Sequence, residues 1–97
     1  MNIDNRYSGG GRIALIEERL RTALAPRNLE ITDESAQHAG HAGAKSGGGH
    51  YAVVIVSPNF AGKSLVERHR MIYDALGDAM RREIHALSIK ALTPDER

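Results

Sequence analysis

Five histidines carry most of the chemistry this chain can offer, because it contains no cysteine and no tryptophan. Imidazole binds metals and exchanges protons near neutral pH. His38, His41 and His50 fall in one stretch, HAGHAGAKSGGGH, that also holds five glycines. His38 and His41 are spaced i, i+3. They make half a metal site, with no further ligand obvious nearby in sequence. A solvated polar loop is the other reading, as is a loop that binds a lone divalent ion. His85 heads an alternating run, on the face shared with Leu87 and Ile89. There it is either a rim histidine bonded to backbone or a group partly open to a partner or metal. His69 lies on an apolar helical stripe, where a histidine is usually a core residue with bonded nitrogens. Ser, His and Asp are all present, but their spacing matches no catalytic motif. Without cysteine, the chain supplies no disulfide, thiolate ligand or thiol nucleophile of its own.

Two other patterns invite chemistry. Gly62-Lys63-Ser64 follows a predicted strand and opens a predicted helix, as a phosphate-binding loop does, but the required glycine five residues earlier is Ser57. A turn glycine followed by a helix cap explains the residues as well. Lys63, Arg68, Arg70, Arg81 and Arg82 could line a basic surface for a nucleic-acid backbone, or could be the solvated face of a helix.

These residues need elements to hold them. Ile13, Ile16, Leu20, Ala23 and Leu24 share one face of a helix that Pro26 ends. LEITDES, from Leu29 to Ser35, alternates as a short strand with one wet face. YAVVIVS, from Tyr51 to Ser57, is β-branched and apolar on both faces, the pattern of a central strand. A turn over Phe60–Lys63 leads to a long helix reaching about Arg81. Ser64 and Glu67 form its capping box, and Leu65, His69, Ile72, Leu76, Ala79 and Met80 form its apolar stripe, widened by Val66 and Tyr73. Ile84 to Leu92 is the last strand, followed by a second capping box at Thr93, Pro94 and Glu96. The strand–helix–strand segment predicts a parallel crossover. The whole predicts a single α+β domain, αββααβ, with a three-stranded mixed sheet and helices on one face.

Ninety-seven residues with 41% hydrophobic and 26% charged content support one modest aliphatic core. A net charge of +1 is too small to argue for nucleic acid or membrane by itself. Met1 to Gly11 is polar and ends in three glycines, so a disordered tail is expected, with the domain over residues 12–94 and a C-terminal end at 95–97. No signal-like or membrane-spanning apolar run is visible, so a soluble, cytoplasmic protein is expected.

Together the motifs resemble a known family. Phe60-x-Gly62, then Arg68-His69-Arg70-Met71-Ile72-Tyr73 with Leu76, then Ile84-His85-Ala86-Leu87-Ser88-Ile89 with Thr93-Pro94, are similar to BolA-like proteins. The opening helix, LEITDES and the histidine loop before YAVVIVS fit as well, so the likeness covers about Arg12 to Pro94. The resemblance implies a fold similar to a class II KH domain and a protein that is not an enzyme. It implies pairing with a monothiol glutaredoxin around a shared [2Fe–2S] cluster, for which the partner brings its cysteine and a bound glutathione. None would be bound by the isolated chain, expected to be a monomer. On this likeness the ligands from this chain would be His85 and a loop histidine. His38 matches the loop position best, His41 is an alternative and His50 a weaker one. The resemblance also implies transcriptional regulation, with Pro58 to Arg82 contacting DNA.

Overall fold

The computed structural model describes residues 9–34 and 49–97. Helix α1 (Gly9–Leu24) leads into strand β1 (Asn28–Asp33) and then β2 (Gly49–Val56). A 3-10 turn (Pro58–Phe60) and helix α2 (Leu65–Leu76) follow, then a short α3 (Ala79–Arg82), strand β3 (Ile84–Leu92) and a last 3-10 turn (Pro94–Glu96). The sheet order is β1-β2-β3, with β1 antiparallel and β3 parallel to the central β2. This is the expected architecture, with YAVVIVS in the middle.

One face of the sheet carries the core. Tyr51, Val53 and Ile55 of β2 lie beneath Leu15, Ile16, Leu20 and Leu24 of α1 and Ile72 and Leu76 of α2. Phe60, Ala79, Ile84 and Ala91 complete the cluster. Each Val, Leu, Ile or Phe side chain among them contributes roughly 1.5–3 kcal/mol through the apolar surface it removes from water. The i, i+4, i+8 spacing of Ile16, Leu20 and Leu24 lets α1 lay one stripe on the sheet, while Glu17 and Arg21 pair on the wet side at 2.8 Å.

Polar bonds fix the helix ends. Arg19 of α1 donates from Nη1 to the Leu76 carbonyl at 2.8 Å, capping α2 with a cation where its dipole is negative. The Leu24 carbonyl at the end of α1 accepts from Ser57 Oγ at 2.7 Å and from Asn59 Nδ2 at 3.1 Å, tying α1 to the exit of β2. Ser64 and Glu67 form the expected capping box, as do Thr93 and Glu96.

Three expectations are corrected. Gly9 to Gly11 open α1 instead of ending a tail, and Met1 to Ser8 lie outside the described residues. The long helix stops at Gly77, whose φ of 54° breaks the helical path, and resumes as the single turn of α3. The apolar stripe of α2 is also rotated. Arg68, Ile72 and Leu76 face inward, Leu65 and Val66 are exposed, and His69 is half-buried instead of sitting in the core.

Candidate functional site

At the start of β3 the strand alternation is broken. Gly49 pairs with Ile84, but His50 pairs with Ala86, so His85 is an extra residue on β3. This is a β-bulge, a device that re-aims a side chain. Strict alternation would set His85 on the core face with Leu87 and Ile89. Instead Ile84 is buried, His85 and Ala86 are both exposed, and the inward pattern resumes at Leu87. His85 therefore turns toward His50, and the two ring centroids are 5.0 Å apart with planes tilted by 43°. The neighbouring backbone is bonded on both sides. Gly49 donates its N–H to the Glu83 carbonyl at 3.0 Å, and the His50 carbonyl accepts from the Glu34 N–H at 2.7 Å.

The spacing has a chemical meaning. A metal–nitrogen bond of about 2.1 Å, plus about 1.1 Å from nitrogen to ring centre, sets two imidazoles on one ion roughly 5 Å apart at a tetrahedral angle. The His50–His85 pair meets that distance. His50 is half-buried and His85 exposed, so the pair opens to solvent from the His85 side. Among the described residues no group of three or more His, Asp or Glu side chains could hold a metal ion. By distance the pair could fill two positions on one metal ion, and the described residues offer no third donor grouped with it.

Next to His50 in β2, Tyr51 gathers a polar cluster. Tyr51 is buried, and burial pushes its phenol above the usual range. The Arg12 guanidinium beside the hydroxyl opposes that shift, while the charges of Asp33 and Glu83 add to it. Four segments therefore converge at this end of the sheet: the start of α1, the end of β1, the start of β2 and the approach to β3.

The other candidates fall in different places. His38 and His41 lie outside the described residues. Lys63, Arg70, Arg81 and Arg82 are exposed. Lys63 and Arg70 line a shallow hollow together with Glu67 and Asp74, so acids interrupt that surface. Arg68 does not belong to it. Its guanidinium is buried and donates from Nε to the Lys63 carbonyl, from Nη1 to the Ala91 carbonyl, and from Nη1 and Nη2 to both oxygens of Glu96. This bidentate pair, at 2.6 and 3.0 Å, holds the Glu96 carboxyl down to about 2, with the Thr93 N–H assisting. The phosphate-loop geometry is likewise taken up internally, since Glu67 Oε1 accepts the Ser64 N–H at the head of α2.

On the family likeness His50 is the weaker loop candidate, whereas the structure sets it beside His85. The apolar residues Ile84 and Leu87, three apart at a strand start, were the available sign of a bulge.

A model of the family described as BolA-like protein matches residues 20–96. The chain belongs to the BolA-like family. Among curated relatives, SufE-like protein 1 of Arabidopsis thaliana is 47% identical over 97% of this chain and 28% of its own length. The DNA-binding transcriptional regulator BolA of Escherichia coli is 43% identical over 84% of this chain and 74% of its own. The BolA domain of SufE1 from Arabidopsis thaliana, a solved structure, is 48% identical with a TM-score of 0.80, covering 93% of this chain and all of that one. The chain spans about a quarter and about half of the length of two curated relatives, SufE-like protein 1 and the chloroplastic BOLA1 of Arabidopsis thaliana. The names of those two place them in chloroplasts or mitochondria, so they lend no support to the cytoplasmic expectation. No helix among the described residues is long and apolar enough to cross a membrane.

Proposed function

We propose that this BolA-like chain is a non-enzymatic adaptor that pairs with a monothiol glutaredoxin and shares a [2Fe–2S] cluster with it, in cluster handling or in iron- or redox-linked regulation. The observation that carries this reading is the His50–His85 pair, 5.0 Å apart at an open end of the sheet. Two imidazoles on one iron are established cluster chemistry and raise the potential relative to thiolate ligation. A chain with no cysteine must leave the thiolates to its partner, which a glutaredoxin cysteine and glutathione would supply. In this reading His85 is the first ligand and His50, by its distance, the second. His38 and His41 remain the family-implied alternatives for the second. The chain's own residues present the two nitrogens, keep their rings at bridging distance and leave one side open for the partner.

The test mixes the chain with cluster-loaded glutaredoxin and records visible absorption and circular dichroism. The expected result is a changed spectrum that reverts to that of the loaded glutaredoxin alone in His85→Ala. No change with the unsubstituted chain, or the same change with His85→Ala, contradicts the reading.

A second reading, a KH-like DNA-binding regulator, draws on the name of the Escherichia coli relative and on the exposure of Lys63, Arg70, Arg81 and Arg82. It predicts DNA binding that weakens steeply with salt and is lost on charge reversal of these four side chains. Failure to bind duplex DNA at low salt removes it.

A further inference from the structure

The bulge that turns His85 outward needs something to hold it, and the observations point to one side chain. The Tyr51 ring folds back over Gly49, two residues earlier on the same strand. A Cβ placed on Gly49 would lie 2.6 Å from Tyr51 Cε2 and Oη and 2.7 Å from Cζ. No real carbon is accommodated so closely, so the ring fits only because Gly49 has no side chain. Gly49 is also the β2 residue at which the register shifts. Its N–H is bonded to the Glu83 carbonyl just ahead of β3. The ring itself is 1% exposed, with Arg12 of α1, Asp33 of β1 and Glu83 as the charged groups around its hydroxyl. A buried ring thus occupies the side-chain space of Gly49 at the point where β2 and β3 lose step, one residue from His50.

We propose that Tyr51 is a positioning residue for the histidine pair: its ring, seated on the bare Cα of Gly49, fixes the bulge that brings His50 and His85 within bridging distance of one metal ion. The metal role of the pair rests on the cluster-sharing reading, whereas the positioning is a property of the isolated chain. The ring, not the hydroxyl, does the work, because it is the ring that occupies the space over Gly49. Gly49 and Tyr51 act as one unit: a side chain at 49 displaces the ring, and once the ring is gone its nearest obstacle is removed.

Proton NMR of the isolated chain tests this through the ring-to-ring Overhauser cross-peak between His50 and His85. Tyr51→Phe keeps the cross-peak. Tyr51→Leu loses it, and so does Gly49→Ala. Adding Gly49→Ala to Tyr51→Leu costs less stability in denaturant titration than adding it to the unsubstituted chain. Leu20→Ala, which destabilises the core away from the bulge, keeps the cross-peak and so separates positioning from general loss of stability. Should Gly49→Ala not fold, Tyr51→Leu with the Leu20→Ala control decides the matter alone. A cross-peak retained in folded Tyr51→Leu, or lost equally in Leu20→Ala, overturns the proposal. An unsubstituted chain that shows the cross-peak but leaves the spectrum of loaded glutaredoxin unchanged defeats only the cluster-sharing reading.

Discussion

The two ends of β3 treat their polar groups in opposite ways. At the C-terminal end Arg68 reaches in from α2, satisfies the Ala91 carbonyl and clamps Glu96 with two bonds. The Leu92 carbonyl accepts from the Ser57 N–H at 2.9 Å, so the end is bonded on both sides. At the N-terminal end the strand bulges and puts an imidazole into solvent beside another. An arginine counted among candidates for a nucleic-acid surface closes the fold, and a histidine whose spacing left rim packing and display both open is displayed. The charge of a residue says little about its task until its partners are known. A buried, multiply bonded cation is expensive to orphan, whereas an exposed ring with few bonds is free to take a ligand.

The contrast can be broken most forcefully at the clamp. Arg68→Ala takes the guanidinium donor from the Ala91 carbonyl and leaves the Glu96 carboxylate with the Thr93 N–H alone, and should lower the thermal midpoint by roughly 10 °C. Differential scanning calorimetry would measure it, and a shift as small as that of His85→Ala would erase the distinction between the two ends.

Acid probes the same clamp more gently. The Glu96 carboxyl lies at about 2 in the fold against an ordinary 4.5, so its contribution is fully present above pH 4.5. It is lost as pH falls from 4.5 toward 2, because the unfolded chain takes up the proton first. Thermal midpoints across that window should therefore fall more steeply for the unsubstituted chain than for Glu96→Gln. A residual slope should persist in the variant, since Glu67 is also held down, by its bonds to Ser64. Parallel curves for the two chains would show that the clamp contributes nothing.

At the opposite end the stability effect should be small. His85→Ala removes an exposed side chain and should change stability by no more than about 0.5 kcal/mol in denaturant titration. A loss of several times that would make His85 a packing residue after all. A similarly small expected effect, and a reference remote from the histidine pair, is a gain. Ala25 ends α1 at a φ of 43°, a left-handed conformation that glycine adopts without a Cβ clash. Ala25→Gly should add about 0.5 kcal/mol and leave the histidine cross-peak unchanged.

Much of the scaffold was legible because its signals are local. Ser64 with Glu67 and Thr93 with Glu96 are capping boxes three residues wide, and both form. YAVVIVS announced a central strand by being apolar on both faces, and the crossover to β3 made those strands parallel. The misread features depend on distance. Arg68 finds Glu96 across 28 positions, and no periodicity reveals that an arginine on a helix will be buried by a turn beyond the next strand. The bulge escaped because His85, Leu87 and Ile89 alternate perfectly on paper, whereas in the fold Ile84 is buried and the strand is out of step at His85. Family resemblance pointed to His85. The nearness of His50 became visible only once β2 and β3 were side by side.

The central claim is that His50 and His85 supply both nitrogen ligands from this chain. It is tested most directly by pulsed electron paramagnetic resonance on the reduced cluster formed with unlabelled glutaredoxin and a chain labelled with 15N-histidine. The account predicts two 15N couplings of directly bound strength, one lost in His85→Ala and the other in His50→Ala. No such coupling, or two couplings that survive His50→Ala and fall to one in His38→Ala, would contradict it.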